Sequence, residues 1–225
     1  MEQLSRKNNF IYLFIALILF LLTSAIVAEF SNHFSQSSLI IITMLMLAAS
    51  IRSLRTDLSW KRAVYILFPT FFVLSITEYI FNDKLSLILM LTTLLIFFVG
   101  TFHAAFRQVL FEGDIDKNKL IGSLTLYILL GLIWSVIYLL IIAVDPTAFS
   151  GLEVTNWQEG FSRIAYYSFV TLTTLGYGDI LPKNHIAEFF VYMESIIGVF
   201  YMAIIVSSLI SLRLAAIQEE RHKGK

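Results

Sequence analysis

The chain of 225 residues has no cysteine, and only 14% of it is charged. Disulfides, thiolate metal sites and cysteine nucleophiles are therefore excluded. The four histidines, His33, His103, His185 and His222, are scattered and show no metal-ligand spacing. Acidic and basic residues balance at 16 each, so no charge excess points to nucleic acid or another polyanion. No nucleophile, metal or acid–base constellation stands out to support an enzyme, and no cofactor is implied. Low-complexity tracts and internal repeats are missing as well.

What is abundant is apolar. Hydrophobic residues make up 58% of the chain, against about half in soluble domains. That surplus is too large to hide in one core of this length, so the solvent must be lipid. A bilayer core takes about 20 apolar residues as helix, and six stretches qualify: 10–30, 34–51, 63–81, 85–106, 120–144 and 186–212. The second is short and opens on Ser35-Gln36-Ser37-Ser38, which also fits a re-entrant or interfacial segment. Charge placement favours a full span. With six crossings and both termini in the cytoplasm, all 16 basic residues except Lys84, Arg163 and Lys183 stay inside, the asymmetry expected of cytoplasmic loops. The first run follows Arg6 and Lys7 as a secretory signal would. It is long, however, and Ile26 occupies the small-residue position two before Ala28, so it reads as a membrane helix.

Between the fifth and sixth runs, Asn156-Trp157-Gln158-Glu159 has the character of a helix start, and 161–171 is mostly apolar and aromatic but too short to cross. Then come Thr173-Thr174-Leu175-Gly176-Tyr177-Gly178-Asp179 and Pro182. A half-length helix in and an irregular strand back make a re-entrant hairpin, and non-helical backbone at membrane depth is tolerated only when buried in protein or lining a watery path. This segment is expected to line a pore.

Thr174-Leu175-Gly176-Tyr177-Gly178-Asp179 resembles the signature of potassium channels, differing from its commonest form only by Leu at 175. The resemblance runs over about 157–212. It takes in Tyr166 and Tyr167, Thr173, Pro182, and Gly198 midway along the last run. The whole layout is similar to the small prokaryotic six-span channels that carry a pore domain and no cytoplasmic regulatory domain. The resemblance implies an all-α membrane protein with six transmembrane helices, a re-entrant pore helix and a filter loop between helices five and six, closed into a homotetramer. Residues 1–112 would form a four-helix peripheral domain and 113–225 the pore domain, in the cell (plasma or inner) membrane. The implied partners are K⁺, the lipid bilayer and three more copies of the chain. Backbone carbonyls of Thr174, Leu175, Gly176 and Tyr177 would replace the hydration shell of K⁺, with Gly176 and Gly178 allowing the unusual dihedrals. The Thr174 hydroxyl would add an oxygen at the inner end. Tyr177 would point away from the ions and brace the strand against Tyr166, Tyr167 and Thr173. A weakly selective cation channel and a non-conducting regulatory subunit are the alternatives.

Other residues carry two readings each. Asp179 either bonds a pore-helix aromatic such as Tyr166 or is a solvated acid, and Val170 stands where some related channels place a glutamate near it. Gly198 is a gating hinge or a site of close helix packing. Met202, Val206 and Ile210 line the cavity or face lipid. Glu194 lies at membrane depth, where charged groups are costly, and is expected to point behind the filter as a structural hydrogen-bonding group or to bind ions. The fourth run contains no series of basic residues. Arg52 and Arg55 read as topology anchors or as gating charges. The dozen or so residues after Leu212 are too few for a ligand-binding domain, so no motif reveals a gating stimulus.

Overall fold

The computed structural model describes residues 9–29, 43, 58–111, 117–152, 157–207 and 210–211. Six helices follow in order: α1 (Asn9–Glu29), α2 (Leu58–Phe81), α3 (Lys84–Phe111), α4 (Lys117–Val144), α5 (Trp157–Leu172) and α6 (His185–Phe200). A π-helical stretch, Tyr201–Val206, continues α6. Five of these helical segments are long and apolar enough to cross a membrane, α5 being the exception. The expected second span, 34–51, lies outside the described residues apart from Thr43, which is helical. The basic pair Arg52 and Arg55 lies outside them too.

Within lipid, polar side chains have to find partners in their own helix or a neighbour. Thr70 donates to Ile66 O at 2.8 Å, Ser75 to Phe71 O at 2.7 Å and Thr92 to Ile88 O at 2.7 Å. The helices outrun the apolar stretches that predict them. α2 starts at Leu58 rather than 63, and α3 runs to Phe111 rather than 106. Lys61, Arg62 and Arg107 end the hydrophobic signal, yet Lys and Arg are good helix formers, so the backbone coils on past it.

α4 is the spine of the fold. α1, α3 and α5 pack along it, α2 packs on α3, and α1 also reaches α5. Phe20 of α1 sits between Phe98 of α3 and Phe161 of α5, with ring centroids 6.4 and 5.2 Å away. The indole of Trp60 fills the space beside Gly100 where a Cβ would stand, bringing α2 close to α3.

Three contacts fix the helix directions. The Phe10 N–H donates to Asn118 Oδ1 at 3.2 Å, joining the starts of α1 and α4. Their far ends also meet, since Ala25, Ala28 and Glu29 share a cavity of about 1030 Å³ with Thr147, Phe149 and Ser150. The Lys84 ammonium donates to Val144 O at 3.1 Å, placing a cation at the negative C-terminal end of α4. α1 and α4 are thus parallel, and the α2–α3 turn lies at the end of the bundle where α1 and α4 finish. At that turn Asp83 caps α3 by accepting from the Ser86 N–H at 3.0 Å. This bond holds the Asp83 carboxyl below the usual carboxylate range.

Among the described residues, the one pair of strands is the two-residue antiparallel bridge of Phe149–Ser150 with Leu181–Pro182. Two residues are too few to show an alternating pattern, and the sequence gives no hint of it.

Candidate functional site

α5 is amphipathic and ends in a capping motif built from the very residues that follow it. The Leu175 N–H donates to Val170 O at 2.9 Å and the Thr174 N–H to Thr171 O at 2.9 Å. These are the two bonds of a Schellman cap, whose C′ residue takes a left-handed conformation and is usually glycine. Here that residue is Thr174, at φ +59°. For a β-branched residue this is an outlier, and it costs about 1–2 kcal/mol. Gly176 and Gly178 repeat the positive φ at +57° and +79°, whereas Leu175 and Tyr177 do not. The backbone therefore alternates in hand from 174 to 178.

The first donors of this segment fold back onto α5. The Gly176 N–H also reaches Val170 O, and the Thr173 N–H and hydroxyl reach Phe169 O at 3.0 and 2.7 Å. Among the described residues, no donor meets the carbonyl oxygens of Thr174, Leu175, Gly176 or Tyr177. Residues 173–179 are all exposed on the single chain, and a Cβ on Gly176 or Gly178 would meet nothing within 4 Å.

The supports predicted for this segment separate into two sides of α5. Tyr166 stacks on Tyr177, with centroids 6.4 Å apart and planes 9° from parallel, and the Asp179 carboxylate accepts from the Tyr166 hydroxyl. Tyr167 faces the other way, packing on Tyr138 and Phe149 with centroids 5.4 and 5.7 Å away. It supports α5 from behind.

Beyond Asp179 the chain is tied to the end of α4. The Lys183 N–H donates to Ala148 O at 2.8 Å, and Asn184 caps α6 by accepting from the Ala187 N–H at 2.8 Å. The Asn184 amide also donates to Asp145 at 2.9 Å. The Thr147 hydroxyl and N–H, then Asn184, hold the Asp145 carboxyl below the usual carboxylate range. Gly151 lies so close to the Asp179 carbonyl that a side chain would overlap it.

α6 crosses α5 at the Leu172 carbonyl. A Cβ on Gly198 would overlap that oxygen, and the Tyr127 hydroxyl of α4 donates to it at 3.2 Å. Close packing at Gly198 is therefore an observed contact. One turn earlier, Glu194 is fully buried, 0% exposed. Tyr138 Oη donates to its Oε2 at 2.5 Å, and Ser168 Oγ lies 2.6 Å from its Oε1. It points behind the 174–178 segment, between α4 and α5.

Met202 and Ile210 are exposed, and the Val206 side chain lies outside the described residues. Their expected alignment assumed α-helical periodicity. Tyr201–Val206 is π-helical, and i→i+5 bonding winds more residues into each turn, so Met202 and Val206, four apart within it, do not stack as they would in an α-helix. Tyr201 anchors the start of this stretch, its hydroxyl donating to Ser123 O at 2.5 Å.

Sequence reasoning found Glu194 but not its partners Ser168 and Tyr138, nor the anchors Tyr127 and Tyr201. The available signal was polar residues inside apolar runs, which in membranes mark helix–helix contacts.

A bundle of five membrane-length helices with one short helix among them is the architecture of a multi-pass membrane protein. Residues 123–213 match the family model described as ion channel, and this part of the chain is an ion-channel domain. No curated protein and no solved structure matches the chain.

Proposed function

We propose that the chain is one subunit of a homotetrameric, K⁺-selective channel whose filter is residues 174–179. The observation that carries this reading is the run Thr174–Tyr177, exposed on the single chain, alternating in hand and offering carbonyls that no described donor meets. Unsatisfied carbonyls facing lipid cost several kcal/mol each. A ring of four such strands instead turns them toward ions that have shed their water. Alternating positive and negative φ supports this, because it swings successive carbonyls to one side, whereas a β-strand alternates them. Thr174 supports it too. Glycine would relieve the strain at that position, so a hydroxyl there has a use, and an inner-end oxygen ligand is one.

The helix directions support six crossings. α1 finishes beside the end of α4, while α2 begins at the opposite end of the bundle. This placement of Glu29 and Leu58 at opposite ends of the bundle supports the sixth crossing. We place both termini in the cytoplasm of a cell membrane on the distribution of basic residues. The boundary between a peripheral unit, 1–112, and a pore unit, 113–225, is crossed by α1 and α3, which pack directly on α4 and, for α1, on α5.

Purified protein in liposomes is expected to pass K⁺ well ahead of Na⁺ when flux of the two ions is compared. Equal rates would replace K⁺ selectivity with a general cation pathway, and no flux at all would favour a regulatory subunit. External tetraethylammonium gives an independent check. Aromatic rings at the mouth bind it by cation–π attraction, worth about 0.5–2 kcal/mol. Here Leu181 is exposed just beyond the filter, so block is expected to be weak and to strengthen in Leu181→Tyr. Tight block of the unmodified chain would count against this placement of the mouth.

A further inference from the structure

We infer that Glu194 is carried as the neutral carboxylic acid and acts as the positioning residue that sets α5, and with it the 174–178 strand, from the inner helix; the link to conduction rests on the channel reading above. The hydrogens available to these contacts can be counted. Ser168 Oγ lies 2.6 Å from Glu194 Oε1 and 2.8 Å from Gly131 O. A hydroxyl has one hydrogen. Were Glu194 ionised, Oε1 and the Gly131 carbonyl would compete for it, and one of these short contacts would set acceptor against acceptor. With the proton on Oε1, Glu194 donates to Ser168, Ser168 donates to Gly131 O, and Tyr138 donates to Oε2 at 2.5 Å. Each contact then holds one hydrogen. Ser135 adds its own to the same Gly131 carbonyl at 2.7 Å.

The surroundings agree with the count. The titratable groups that face the carboxyl are the Tyr138 and Tyr127 phenols from α4 and the Tyr167 phenol from α5, and none of them is a cation. A carboxylate with no exposure and no counter-charge is costlier than a protonated one. The acid thus joins three elements in one chain of bonds: α6 through its own backbone, α5 at Ser168, and α4 at Tyr138 and Gly131. Ser168 lies in the last half of α5, so this chain fixes how deeply the helix sits and where its C-terminal cap presents Thr174.

Infrared spectroscopy tests the proton directly. At neutral pH the wild-type protein is expected to show the C=O stretch of a protonated carboxylic acid, and Glu194→Gln is expected to remove it. Glutamine can still donate to Ser168 and accept from Tyr138, so this variant should assemble normally and keep K⁺ flux within about twofold, whereas Glu194→Leu leaves the buried Tyr138 hydroxyl without its acceptor and Ser168 without its donor, and should lose roughly tenfold or more. Wild-type flux should fall as pH is raised, and Glu194→Gln flux should hold level. A difference spectrum with no carboxylic band overturns the protonation. Positioning is overturned if the Gln variant is as damaged as Leu, if Leu is undamaged, or if Gln follows the wild-type pH profile. Band and assembly are read without conduction, so they stand apart from the test of the channel itself.

Discussion

Co-expressed in equal amounts with the unmodified chain, Gly176→Asp is expected to leave about one sixteenth of the K⁺ flux, the share of randomly assembled rings with four intact strands. Space on the single chain is not the objection, since a Cβ at this position meets nothing within 4 Å. Nor is the dihedral decisive. Gly176 sits at φ +57°, and Asp is one of the few residues that visit this region, at about 1–2 kcal/mol. The damage comes from the ring. In the proposed filter four strands share each ion site, so one carboxylate-bearing strand would spoil all of its sites. Flux through the variant alone should be abolished. A fall to about half in the mixture, in simple proportion to the mutant fraction, would mean that each chain conducts by itself and that the shared filter is wrong.

The second large effect is expected at Gly198, where the two readings of this residue predict opposite signs. If it serves only as a hinge, Gly198→Ala relieves a mid-helix glycine and stabilises the helix by up to about 1 kcal/mol. If it serves close packing, the added Cβ overlaps the Leu172 carbonyl, a backbone atom that cannot yield without moving the end of α5. Overpacking of this kind costs about 1–3 kcal/mol, which outweighs the gain in propensity. We therefore expect Gly198→Ala to lower the thermal unfolding temperature and to reduce K⁺ flux. Gly131→Ala is a suitable comparison, because its nearest neighbour is the Phe169 ring rather than backbone and a side chain can swing aside. A Gly198→Ala protein that unfolds at a higher temperature than wild type would restore the hinge as the main role.

Much of this molecule is legible in its sequence because lipid makes strong demands. Spans are announced by length and hydropathy, and five of the six expected ones overlap described helices. The short helix before Thr174 is legible for the same reason, since an apolar run too brief to cross needs another purpose. What escaped depends on features that leave no period. Thr174 at positive φ runs against the usual preference of a β-branched residue, so propensity argues for the wrong dihedral there. The π-helical stretch Tyr201–Val206 lies in a wholly apolar run, where no change of polar face betrays the change in winding. Glu194 was conspicuous as a charge among apolar residues, but Ser168 and Tyr138 became its partners only once α4, α5 and α6 were brought together.

The placement of α1 has a consequence for how the protein is made. This helix is synthesised well ahead of α4 and α5, yet Phe20 and its neighbours find their final partners on those two helices. Contacts so distant in sequence form late, after the intervening loop has closed. Until then α1 has to wait in the bilayer with its core-facing side against acyl chains. Its composition suits that wait, for it is the most hydropathic of the five membrane-length segments, at 2.8 against 1.5 for the last. The order of insertion thus gives α1 the least need of company, while the amphipathic α5 emerges only when α1 and α4 are already there to receive it.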